Sequence, residues 1–398
     1  MALFFGKKPS YLGIDLGSTS IKLVELRSEH GSPTLVTYGY AERAMGDVVR
    51  GNPEEVQKKA VDLLVKLHKK SGAESYKAVT ALPNFAVFNS VITLPVMSKK
   101  ELAQAITWEA KKFVPMPLEE VILDWKIIEE VKPQKVVEVR EPIPAPKPPI
   151  EEEIKSFGES LMQEKTSSVQ KSIEGSKDEK KIYNSKLDKK TYRVLLTAAS
   201  RSLVKRYVEI FRLANIQLLA LETEAFALAR ALVGKDRAVT MIIDTSAVTT
   251  DIIIIEKGVP VLNRSIDVGG VTLTRSIANI LNIDFKRAEQ FKRDIGLSGT
   301  SKIPSIIEQA LKPVVEEIQY SLNLYQTQSG QVVEKVVLSG GSAYLPNLVD
   351  YLSKLLKIKV IIGDPWSRIA YPAELKPALE EIAPRFAVAV GLALREVE

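Results

Sequence analysis

The chain of 398 residues contains no cysteine and two histidines, His30 and His68, far apart in sequence. Without thiols there is no disulfide framework, no thiolate nucleophile and no zinc–thiolate site, and two distant histidines cannot supply a histidine triad or a multi-histidine metal centre. No apolar run reaches the roughly 18 residues that a membrane span needs, and the start, MALFFGKKPS, holds too short an apolar stretch for a secretory signal. These absences point to a cytosolic protein. A net charge of +6 is small for this length and gives no case for nucleic acid. What is present, 45% apolar and 26% charged residues, is an ordinary globular composition, with length enough for two or three domains.

The composition is uneven in one place. Residues 132–190 open with a run in which six of the first eighteen positions are proline and continue rich in Lys, Glu and Ser, with 13 basic against 11 acidic side chains. Such a segment buries too little apolar surface to offset chain entropy and reads as a mostly disordered insertion. Within it Ile154, Phe157, Leu161, Val169 and Ile173 follow an approximate helical spacing and suggest a weak amphipathic helix.

Elsewhere strands and helices alternate, the pattern of an α/β or α+β protein. Asn52 with Pro53 opens a helix that Gly72 closes. Ser98 and Glu101 form the S-x-x-E spacing of a capping box, and the helix they start ends before Pro115. YRVLLTAAS reads as a strand, followed by a helix from Ser200 with Leu203, Tyr207, Ile210 and Phe211 on one face. LLALETEAFALARAL reads as a further apolar helix.

An internal repeat is the sharpest feature. GIDLGSTSIKLVEL and IIDTSAVTTDIIII each show a strand ending in an aspartate, Asp15 or Asp244, a short run of small and hydroxyl residues, and a second β-branched strand. Small turns of this kind let backbone N–H groups and hydroxyls surround a phosphate. Lys22 adds a positive charge, and the two carboxylates suit the waters of a Mg²⁺ ion. Turns require Gly and Ser for purely structural reasons as well, so the weight lies in the duplication. No Walker-type or dinucleotide glycine fingerprint is present.

Two more elements belong with these. In VVLSGGSAYLPNLVDYL a strand runs into Gly340, Gly341 and Ser342 and then a helix near Pro346, which lets backbone lie against a flat ligand or simply makes a tight strand-to-helix turn. In DVGGVTLTRSIANILNIDFKRAEQFKR, Gly269 and Gly270 precede a helix, and Glu289, Lys292 and Arg293 lie a helical turn apart further on. That trio suits ribose hydroxyls and phosphates, and equally a solvated helix face.

In this order the elements resemble the actin-like ATPase superfamily of actin, sugar kinases, heat-shock chaperones and the division protein FtsA. The resemblance implies an α/β actin-like ATPase fold of two duplicated α/β domains around a nucleotide cleft, with a small inserted subdomain. Residues 1–80 then form the N-terminal part of the first domain, 81–131 and 191–199 the small subdomain, 132–190 the insertion, and 200–235 the rest of the first domain with a connecting helix. Residues 236–386 form the second domain and 387–398 the C-terminal connecting helix, with Ala227, Ala389 and Gly391 allowing a close helix crossing at the hinge. The resemblance assigns Asp15, Gly17, Ser18, Thr19, Ser20 and Lys22 to the first phosphate loop and Asp244, Thr245 and Ser246 to the second, which ends at Asp251. It assigns Gly269, Gly270, Gly340, Gly341, Ser342 and Leu345 to the nucleoside side, with Glu289, Lys292 and Arg293 at ribose and base. The implied cofactors are ATP and Mg²⁺, the metal held through water by Asp15 and Asp244. Ser246 stands where such second loops usually carry glycine, so its side chain narrows the pocket or donates a hydroxyl. Glu222 and Glu224 fall near the segment that would orient an attacking water, Glu224 being the catalytic candidate, although a helix with two acids on its surface is the simpler account. Nucleotide binding with slow or no hydrolysis is therefore the expectation.

A narrower resemblance covers nearly the whole chain outside 132–190. LFFGKKPSYLGIDLGSTSIKLVEL, the stretch from ALPNFAVFNS through LPVMSKKEL to FVPMPLEEVILDWKII, and GVPVLNRSIDVGGVTLTRSIA are similar to the PilM family of type IV pilus assembly. The sequence stops at GLALREVE without the amphipathic membrane helix of FtsA. The family resemblance implies a cytoplasmic scaffold at the inner face of the inner membrane that binds the cytoplasmic N-terminal peptide of a PilN-like membrane protein. It places the chain near the pilus motor ATPases, peripheral to the membrane through its partners, in a ring-like or stacked homo-oligomer. Pro95 to Pro117 are the candidate wall for the peptide. The alternative function on the same fold is a sugar or acid kinase, which needs a carboxylate base facing a substrate pocket.

Overall fold

The structure, a computed structural model, describes residues 8–42, 53–131 and 190–398. The amphipathic pattern of 154–173 and the cap at Asn52 lie outside them. The chain divides into two compact units, one of residues 1–91, 106–126 and 195–398, the other of 92–105 and 127–194.

In chain order the elements are β1 (Ser10–Leu16), β2 (Ser20–Glu29), β3 (Ser32–Glu42), α1 (Pro53–Ser71), β4 (Lys77–Leu82), β5 (Val87–Pro95), α2 (Lys99–Phe113), β6 (Val121–Val131), β7 (Thr191–Ser200), α3 (Arg201–Leu213), β8 (Gln217–Thr223) and α4 (Glu224–Leu228). They continue with β9 (Thr240–Thr245), β10 (Thr250–Glu256), β11 (Val259–Ile266), α5 (Gly270–Leu281), α6 (Phe285–Asp294), α7 (Lys302–Ser329), β12 (Lys335–Ser339), α8 (Leu348–Leu356), β13 (Lys359–Ile362), α9 (Lys376–Ile382) and α10 (Ala387–Leu394). Local chemistry sets several of these limits. Gly72 closes α1 at φ +67°, where a side chain would be strained. At α2 the Ser98 N–H donates to Glu101 Oε2 at 3.0 Å while the Glu101 N–H donates to Ser98 Oγ at 3.4 Å, the reciprocal pair the sequence announced. Tyr207, Ile210 and Phe211 of α3 are buried on one face.

One assignment changes. LLALET is not helical: Gln217–Thr223 is strand β8, parallel to β4, and the helix begins only at Glu224. A short apolar run has no period long enough to separate strand from helix, and pairing with β4 decides it.

The larger unit holds two five-stranded sheets of identical plan. The first has the order β3-β2-β1-β4-β8 and the second β11-β10-β9-β12-β13. In each, the central strand pairs antiparallel with its hairpin partner and parallel with the strand on its other side, and the last two strands are parallel. The duplication suggested by the two hairpins therefore extends to whole sheets. A third sheet, β5-β7-β6, has three strands.

Each half has its own core. Leu12, Ile14, Ile21 and Leu23 pack with Leu64, Ile210 and Phe211 in the first, and Met241, Ile243, Ile252 and Ile254 pack with Ile277, Ile307, Ile318 and Leu338 in the second. Helix α10 joins them. All eight of its residues are buried, and small residues bring its backbone onto its neighbours. A Cβ on Gly391 would stand 1.9 Å from the Ala227 carbonyl oxygen, and one on Gly13 would stand 2.0 Å from that of Ala389. Ala227 and Gly391 thus lie at a close crossing of α4 and α10, while Ala389 meets β1 at Gly13. Among the described residues no helix is long and apolar enough to cross a membrane.

Candidate functional site

In α/β sheets, ligands gather beyond the carboxyl ends of parallel strands, where chain reversals expose backbone amides and helix starts. Here the carboxyl ends of β1, β4, β8, β9 and β12 carry Asp15, Asn84, Glu224, Asp244 and Gly340 respectively.

The hairpin ladders place the charges. Asp15 lies opposite Lys22 in the first hairpin, and Asp244 lies opposite Asp251 in the second, at the same register. The Lys22 ammonium meets Asp15 Oδ2 at 2.7 Å, with both side chains largely buried. The duplicated position thus holds a cation in one half and a carboxylate in the other. Gly17, Ser18 and Thr19 form the first turn, with Ser20 opening β2. A Cβ on Gly17 would stand 3.6 Å from both Asp15 Oδ1 and Lys22 Nζ, so glycine leaves this ion pair uncovered.

Two further residues complete the centre: Asp251, which the sequence places at the end of the second loop, and Asn84, which it did not single out. Asp251 is 3% exposed and accepts a hydrogen bond from the Ser265 hydroxyl. Asn84, 2% exposed, donates its backbone N–H to Glu224 Oε2 at 3.0 Å and accepts the Ala225 N–H on Oδ1 at 3.1 Å. Its side-chain amide is buried and directed at Asp251, whose carboxyl pKa it helps to hold down against the effect of burial. Nothing local in the sequence marks Asn84, because its contacts are with residues more than a hundred positions away. The picture of two acids on a helix surface is corrected. Glu222 lies on β8 and grips Arg230 at 2.8 and 3.0 Å, whereas Glu224 starts α4 and faces the acids.

Four carboxyls close to one ammonium repel one another. Burial, then the charges of Asp251 and Asp15, hold the Glu224 carboxyl well above the usual range. Burial also pushes Asp244 up to about 7 and Asp251 up to about 6, opposed at Asp244 by the Ser339 hydroxyl and at Asp251 by Ser265. An all-oxygen donor set in excess negative charge suits a hard cation. Among the described residues no three acids converge closely enough to ligate a metal directly. Asp15 and Asp244, whose carboxylate oxygens accept hydrogen bonds, could hold Mg²⁺ through the waters of its shell.

The remaining turns assemble around the second hairpin. Gly340, at φ +82°, donates its N–H to the Pro384 carbonyl at 3.0 Å, and a Cβ there would stand 2.3 Å from Thr245 O. Ser342 donates its N–H to Thr245 O at 3.4 Å. Gly269 and Gly270 start α5, where the Gly270 and Val271 amides donate to Ser246 O and Ala247 O at 3.0 and 2.9 Å. A Cβ on Gly341 would meet nothing within 4 Å, so there is open room beside it. Leu345 is 7% exposed and belongs to the core of the second half. The trio on α6 is not a solvated face. Lys292 is buried, with Nζ donating to Gly270 O at 3.0 Å, Thr274 Oγ1 at 3.0 Å and Glu289 Oε2 at 2.7 Å, while Arg293 meets Glu289 Oε1 at 2.9 Å from an exposed position. Burial lowers the Lys292 pKa; at Glu289 burial raises it, but hydrogen bonds from Lys292 and Thr274 leave a net lowering.

Two equivalent sheets whose hairpin turns meet at a carboxylate cluster define an actin-like ATPase fold. The chain belongs to the family described as type IV pilus assembly protein PilM, whose profile it matches over residues 13–141 and 176–397. It is similar to a solved structure described as the PilM-PilN type IV pilus biogenesis complex, at 25% identity and TM-score 0.72 over 98% of this chain and 98% of that one. The ethanolamine utilization protein EutJ from Carboxydothermus hydrogenoformans shares the fold at 17% identity and TM-score 0.50, over 98% of this chain and 90% of its own.

Proposed function

We propose that this protein is a nucleotide-binding scaffold of type IV pilus assembly that binds Mg-ATP at the carboxylate centre and the cytoplasmic N-terminal peptide of a PilN-like membrane protein elsewhere on its surface. The observation that carries the nucleotide reading is the meeting of two duplicated acid turns, one bearing Lys22, with glycine turns that leave room at Gly341. Bound Mg²⁺ would supply charge neutralisation between carboxylates and phosphates. The residues do the rest: the first turn and Lys22 hold phosphate, Asp15 and Asp244 hold the ion's waters, and Asn84 fixes Glu224. Nucleotide bound across both halves biases which partner surface is presented. Glu224 is the catalytic candidate, its carboxyl pKa raised by burial and by the charges of Asp251 and Asp15, and turnover is slow.

For the partner, the larger unit exposes the apolar side chains Phe85, Trp108, Phe113 and Ile122. Large exposed apolars of this kind receive side chains of an extended peptide. The protein then sits at the cytoplasmic face of the inner membrane through its partner, near the motor ATPases, in copies that stack or form rings. Pull-down with N-terminal peptides of neighbouring inner-membrane proteins, with and without Mg-ATP, tests this. A PilN-like peptide should be retained, more tightly with ATP, and Trp108→Ala should weaken retention about tenfold. Equal retention with and without ATP refutes the switch; no retention refutes the partner.

A further inference from the structure

The two acid hairpins share a register but not a turn: Gly17 stands two residues after Asp15, and Ser246 two residues after Asp244. The Ser246 N–H donates to Thr249 O at 2.9 Å. Its hydroxyl oxygen accepts the Thr249 N–H at 3.1 Å and the Val248 N–H at 3.3 Å, and lies 3.1 Å from Thr249 Oγ1. A serine hydroxyl has one donor and two acceptor sites, so all three are engaged within the turn and none is left for a ligand. The amides of Val248 and Thr249 are the groups that such a turn presents to an anion. In this turn they already hold an oxygen.

We propose that Ser246 is a specificity-determining latch, its hydroxyl occupying the acceptor place that the terminal phosphate oxygen of a nucleoside triphosphate would take at the Val248 and Thr249 amides. The proposal rests on the nucleotide reading of the site. A triphosphate must displace the hydroxyl, which lowers its affinity, whereas a diphosphate leaves the turn closed. Gly17 has no hydroxyl, so the first turn needs no such exchange. The latch also has an outlet, since the Ser246 carbonyl accepts the Gly270 N–H at 3.0 Å and opening of the turn reaches the start of α5 directly.

Calorimetric titration of Mg-ATP and Mg-ADP into the full chain, as wild type, Ser246→Gly, Ser246→Ala and Ser246→Thr, tests this. Removing the hydroxyl frees the amides without a competing acceptor, a change on the order of one hydrogen bond. Both Ser246→Gly and Ser246→Ala should therefore tighten Mg-ATP by about fivefold and leave Mg-ADP within about twofold. Ser246→Thr keeps the hydroxyl and should keep the wild-type ratio. Weaker ATP binding in Gly and Ala variants that retain wild-type circular dichroism would make the hydroxyl a ligand donor and overturn the latch, as would equal changes for both nucleotides. Wild type that binds neither nucleotide overturns the site itself as well; wild type that binds, with unchanged variants, overturns the latch alone.

Discussion

At the scale of residues, the centre is held in tension by like charges. Asp244 and Asp251 stand opposite each other on one ladder, with Lys22 the cation beside them, and burial raises both carboxyls to about 7 and about 6. The native state therefore binds these protons more tightly than the unfolded chain. Between the unfolded carboxyl range near pH 4 and pH 7 the unfolded state ionises first, so this contribution makes stability fall as pH rises, and the penalty is complete above pH 7. Replacing either acid by its neutral isostere removes the penalty. Asp244→Asn and Asp251→Asn should each raise the melting temperature by about 3 °C or more at pH 7.5, with the gain vanishing near pH 4. Thermal melts across that range check it, and a gain that grows on acidification would contradict the assignment.

At the scale of elements, the hairpins and their turns were legible because strand, aspartate and small-residue turn are contiguous in sequence, and the repeat doubled the signal. The cap at Ser98–Glu101 and the closure at Gly72 were legible for the same local reason. Strand β8 was not, since its identity comes from pairing with β4, nor was Asn84, whose role depends on distant partners. Leu345 follows the glycine turn in sequence, but the turn directs it into the core. The α4–α10 crossing follows from Ala227 and Gly391, and its closeness is testable. Gly391→Ala places a methyl against the Ala227 carbonyl, which helix separation alone relieves, and should cost about 3 kcal/mol, roughly 6–12 °C in melting temperature. Gly341→Ala, whose methyl meets open space, should change stability by less than about 0.5 kcal/mol. Equal melting temperatures for the two variants would refute the crossing as a backbone contact.

At the scale of the whole molecule, two copies of one sheet plan place their hairpin turns at a single centre, and the helix α10 buried between them ties the two halves together. Burial is the main cause of the raised carboxyl pKa values, so a bound cation that neutralises these groups would offset that cost. The absence of cysteine and the scarcity of histidine fit a site built from Asp, Lys, Gly and hydroxyls. Calorimetric titration of Mg-ATP into the wild type and into Asp15→Ala and Lys22→Ala, at pH 5.5 and 7.5, tests this account most directly. It predicts one saturable site in the wild type that tightens as pH rises, because the ion's waters require ionised carboxylates, and that is lost in both folded variants. Wild-type affinity retained in Asp15→Ala, or binding that weakens from pH 5.5 to 7.5, would contradict it.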